Sequence, residues 1–127
     1  MAPASSFAAE LIVDVVGAES DKGQIHFGLY DSPDAFPDKD GRIEGTQKPV
    51  KKGQATGVFK GLTPGYYAIV AFHDENNNGE FDQGLFGVPL ETYGFSNKAV
   101  AVLSAPSFES ARIQVPEKGA HITIQLN

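Results

Sequence analysis

A chain of 127 residues has the length of one domain and is long enough to bury a real core. Its net charge of −6, from 16 acids against 10 bases, disfavours a nucleic-acid partner, and no apolar run approaches the roughly 18 residues that a membrane span needs. The absence of cysteine removes disulfides, thiolate metal sites and cysteine nucleophiles.

Residues 1–8 read as a flexible small-residue leader with no basic n-region and no apolar h-region. Two origins stay open: a cytoplasmic start, or a signal peptide cut away and a start Met added. Residues 9–127 read as a single domain without repeat or linker. In it Leu11, Val13 and Val15 alternate with Ile12, Asp14 and Val16, which predicts a strand. Ile25, Phe27 and Leu29 form one face of a second, with His26, Gly28 and Tyr30 on the other. Residues 31–53 are polar; Ser32 is placed to cap a helical turn over Asp34–Phe36, and a short extended piece is expected around Gln47–Val50. Val58 and Phe59 end a strand, and Gly61-Leu62-Thr63-Pro64-Gly65 supplies a tight reversal. From Tyr66 to His73 both faces are apolar, so this strand is expected at the centre of a sheet. Further strands are expected over Ala99–Leu103, over Phe108–Val115, and where Ile122, Ile124 and Leu126 alternate with His121, Thr123 and Gln125. These elements predict an all-β fold: a single antiparallel β-sandwich of seven to eight strands, Ig-like or transthyretin-like, with at most one short helical turn.

The stretch "DENNNGEFD" carries the strongest chemical signal. Counted from Asp74, it places oxygen side chains at Asp74, Asn76, Asn78 and Asp82, with Gly79 at the bend and the Glu80 carbonyl at the seventh position. That is the first half of a calcium loop, in which alternate hard donors converge on one ion. The twelfth position is Leu85, which cannot supply a bidentate carboxylate, so the loop is not an EF-hand. A shorter Ca²⁺ loop would need water or a later acid such as Glu91 to close its shell. Few charged ligands imply weak affinity, about 10⁻⁴–10⁻³ M. The plain alternative is a metal-free turn, because Asn78-Gly79 is a strong hairpin signal by itself.

Gly84–Ala99 is unusually apolar for a loop. Leu85, Phe86, Tyr93 and Phe95, with Asn97, form a candidate partner- or ligand-binding set; the bland reading folds them over the end of the sandwich. The three histidines, His26, His73 and His121, lack zinc-site spacing. No nucleophile elbow or phosphate loop is present.

The run from "VFKGLTPGYYAIVAFHDENNNGEFDQGLFGVPLETYGFSNKA" to "APSFESARIQV" resembles the bacterial family of domains of unknown function 2141. The resemblance rests on Phe59, Leu62, Pro64, Gly65, Tyr66 or Tyr67 with Ala68, then His73, Asp74, Asn76, Asn78, Gly79 and Asp82. It continues through Gly87, Pro89, Glu91, Tyr93, Gly94, Phe95, Ser96 and Asn97 to Pro106, Phe108 and Ala111. It covers roughly residues 9–127, and departs at Thr63-Pro64, where the family often has a second proline or another small residue. It implies an exported bacterial protein, periplasmic or at the outer surface, and a likeness to transthyretin-like or carboxypeptidase-regulatory-like sandwiches, which are mostly binding or structural modules. The leading expectation is therefore a non-catalytic, exported module whose Ca²⁺-ordered loop meets a protein or carbohydrate partner. The alternatives are a small hydrolase using His73 with Asp74, Glu75 or Glu91, and a purely structural domain.

Overall fold

A computed structural model describes residues 9–34, 36–37, 41–75, 92–99 and 106–126. Eight strands lie within them: β1 (Ala9–Val16), β2 (Gln24–Tyr30), β3 (Glu44–Pro49), β4 (Ala55–Leu62), β5 (Gly65–Asp74), β6 (Tyr93–Phe95), β7 (Ile113–Val115) and β8 (Ala120–Gln125). They form two sheets. One has the order β4-β1-β8; the other has the order β3-β2-β5-β6, with β7 also pairing β5. All pairings are antiparallel except β1 with β8, which runs parallel from Leu11↔Ala120 to Val16↔Gln125.

Period-two alternation builds the core between the sheets. Leu11, Val13 and Val15 from β1 meet Ile25, Phe27 and Leu29 from β2, all at most 2% exposed. Phe59, Ile69, Ala71, Val115 and Ile124 complete this layer. β5 is central as expected, paired by β2 along one side and by β6 over Val70–Phe72. The expected reversal is there too: β4 ends at Leu62 and β5 begins at Gly65, with the Tyr67 hydroxyl donating to the Thr63 carbonyl at 2.6 Å.

A second apolar cluster covers the opposite face of the larger sheet. Tyr30, Ala68 and Phe95 point there, and Phe108 and Ala111 close over them. The ring of Phe36 meets Tyr30, Phe95 and Phe108 edge-on, at 5.1, 6.2 and 6.0 Å between centroids.

Two local expectations change. The strand expected over Phe108–Val115 is instead a single helical turn, α1 (Phe108–Ala111), followed by β7. The Ser107 side chain accepts the Ser110 amide, which caps the turn, and Phe108 and Ala111 then share its buried face. The helical turn expected over Asp34–Phe36 is replaced, in the residues described, by a bend at Asp34 and a turn at Phe36–Pro37. A 3-10 turn spans Ser96–Lys98. Residues 100–103 of the strand expected from Ala99 lie outside the described residues, as does the leader.

Candidate functional site

The site grows from the end of β5, where His73 and Asp74 face opposite sides of the sheet. His73 points into the core; it is 1% exposed, and its Nε2 donates to the Lys22 carbonyl at 2.7 Å. Asp74 points to the outer face and is 0% exposed. Its Oδ2 accepts from His26 Nε2 at 2.9 Å, a diagonal cross-strand pair, since His26 itself stands opposite Phe72. The His26 and Phe72 rings stack at 4.9 Å, 5° from parallel. The imidazole is thus held on one side by an aromatic face and at its nitrogen by a carboxylate.

The β1–β2 loop is drawn against the same end. Ser20 Oγ donates to Glu75 Oε2 at 2.6 Å. Gly23, at φ +68°, lies so close that a Cβ there would sit 2.0 Å from the Asp74 carbonyl oxygen. Across the sheet, the His73 amide donates to the Thr92 carbonyl at 2.9 Å. That bond brings the two ends of the 76–91 connection side by side, so its base is closed by backbone pairing and braced by the neighbouring loop.

Of the six expected cation ligands, Asp74 is described, and one of its oxygens is engaged by His26. Asn76, Asn78, Glu80, Asp82 and Glu91 lie outside the described residues, as do Leu85 and Phe86. Among the described residues, no group of three or more His, Asp or Glu side chains is placed to hold a metal ion. Tyr93 is half-buried and meets the Phe95 ring edge-on at 5.6 Å. Phe95 is 8% exposed and belongs to the second apolar cluster. Asn97 is exposed, takes a positive φ of 57°, and its Nδ2 donates to the Ser110 carbonyl at 3.1 Å. Phe95 and Asn97 are therefore both engaged within the fold.

Two groups take roles that the sequence did not assign to them. His26 is 48 residues from Asp74, and a lone histidine in a strand carries no sign of its partner. Ser96 is 0% exposed; its Oγ accepts the Ile69 amide at 2.9 Å and donates to the Ala111 carbonyl, which ties β5 to α1. Two surface carboxylates also have assigned roles. Asp21 accepts the Gly53 and Lys52 amides at 2.9 and 3.0 Å, and these bonds hold its carboxyl below the ordinary aspartate value. Asp14 is lowered likewise, first by the Thr56 hydroxyl at 2.6 Å and then by His121 at 2.6 Å.

Residues 13–123 match the family described as an uncharacterized protein conserved in bacteria, DUF2141. The chain belongs to this family. No curated protein and no solved structure matches it. In this DUF2141 chain the "YGFSN" segment is a junction. A Cβ on Gly94 would sit 2.6 Å from Ile124 Cγ2, so the absence of a side chain there lets β6 approach β8 closely.

Proposed function

We propose that the chain is an exported, non-catalytic binding or structural module whose β5–β6 connection is its working part. In this reading Asp74, Asn76, Asn78 and Asp82, with the Glu80 carbonyl, take a Ca²⁺ ion, and Glu91 or water completes the shell. The ordered loop then offers its apolar residues, Leu85 and Phe86 among them, to a protein or carbohydrate partner. The observation that carries the reading is the braced base: His26 on Asp74, Lys22 on His73, Ser20 on Glu75, and the His73–Thr92 backbone bond. A loop whose ends are already fixed has less conformational freedom to lose when it takes a ligand. His73 supports this reading over hydrolysis. It is buried on the core face of β5, whereas the Asp74 carboxylate lies on the outer face, so the two do not converge as the hydrolase alternative needs.

Thermal melts in calcium test the proposal. Free ion at about ten to a hundred times Kd should stabilise the fold by about 1.4–2.7 kcal/mol. Magnesium should do less, because it demands a tighter octahedron. Asn78→Ala and Asp82→Ala should abolish the calcium response while leaving the calcium-free melt nearly unchanged. No shift in millimolar calcium, or equal destabilisation with and without it, means a metal-free turn. Export is tested by fractionating a bacterial host that carries the full-length gene.

A further inference from the structure

β3 and β4 end the two sheets on one flank of the sandwich, joined by the tight turn at 51–54. Among the described residues, no strand pairs with the outer edge of either. Between them lies an open groove of about 320 Å³, lined by Lys48, Pro49, Lys51, Gln54, Ala55 and Thr56. Lys48 and Lys51 are exposed, and no carboxylate lines the groove, although the chain as a whole carries −6. Two carboxylates are tied beside it: Asp14 accepts the Thr56 hydroxyl, and Asp21 accepts the Lys52 and Gly53 amides. Further along β4, Val58 is 37% exposed, one of three large apolar side chains left open among the described residues.

An unpaired strand edge offers backbone donors and acceptors in an extended row, and the lysines beside it set the sign of charge that is welcome. We infer that this flank takes an extended acidic peptide, which adds as a strand to the free edge of β4. Its carboxylates seat against Lys48 and Lys51, and an apolar side chain rests on Val58. Main-chain pairing supplies the affinity and the lysines the selectivity. The competing account is that the lysines only guard the edge against pairing with other copies.

Fluorescence anisotropy with a labelled octapeptide of alternating glutamate and valine separates the two, with a lysine–valine peptide as control. The acidic peptide should bind, the basic one should not, and about 0.5 M salt should weaken binding severalfold. The double variant Lys48→Glu, Lys51→Glu should weaken it about tenfold or more. Both side chains are exposed, so its melting temperature should match the parent and confirm folding. Amide resonances of residues 48–60 should shift on titration. The inference is overturned if neither peptide binds at millimolar concentration or if the double variant binds equally well. It is also overturned if inorganic phosphate displaces the peptide at equal concentration, since a small-anion site would then suffice. If Lys48→Ala, Lys51→Ala self-associates while the parent binds no peptide, the lysines are edge guards alone.

Discussion

Asp74 loses all contact with water and keeps His26 as a hydrogen-bond partner, so removing the imidazole leaves a buried carboxylate short of one donor. His26→Ala should cost about 1–3 kcal/mol, read from urea midpoints, and it also strips the ring stacked on Phe72. His26→Gln, which can still donate, should recover part of that loss. Asp14 makes a prediction of a different kind. Its carboxyl is held below the ordinary value of 3.8, chiefly by the Thr56 hydroxyl and then by His121. Its contribution to stability is therefore present above pH 4 and is lost as pH falls through the lower, folded value. Asp14→Asn should flatten the stability profile in that acid range: its loss appears above pH 4 and vanishes at low pH, where the parent carboxyl is itself neutral. The carboxylate is about a third exposed, so the effect should stay below about 1 kcal/mol. Denaturation midpoints at several pH values below neutrality check it.

At the level of elements, Ser96 joins three pieces that period-two reading treats separately: β6, β5 and α1. Ser96→Ala leaves the Ile69 amide and the Ala111 carbonyl without their side-chain partner in a dry interior. A loss of about 1–3 kcal/mol is expected, with increased hydrogen exchange at the Ile69 amide as the specific sign. α1 itself was partly legible. Ser107 before Phe108-Glu109-Ser110-Ala111 is an N-cap signature, and Phe108 and Ala111 sit three apart on one helical face. The strand expectation failed there because a four-residue turn is too short for its period to compete with the alternation that follows in Ile113–Val115. The long strands were legible because they are long: β1 and β2 repeat their alternation three times or more, and β5 is a ten-residue run apolar on both faces.

For the whole molecule, the two apolar clusters should differ in their share of stability. Phe59 is 0% exposed in the layer between the sheets, whereas Phe108 is 6% exposed in the cover over the outer face. Phe59→Ala should cost about 3–5 kcal/mol, a large part of the 5–15 kcal/mol typical of a domain. Phe108→Ala should cost less and should loosen α1 and the Ser96 turn first. Thermal melts with site-resolved hydrogen exchange distinguish the two. The sequence by itself determined the sandwich, because a face buried in a sheet is written every second residue, and it determined the reversal at Thr63-Pro64, because turn residues act locally. The tertiary structure decided which groups work together. His26 with Asp74, Ser96 with Ile69 and Ala111, and the parallel seat of β8 beside β1 join residues 15 to 109 positions apart. No short-range pattern encodes such a meeting; it exists only once the sheets have set their register.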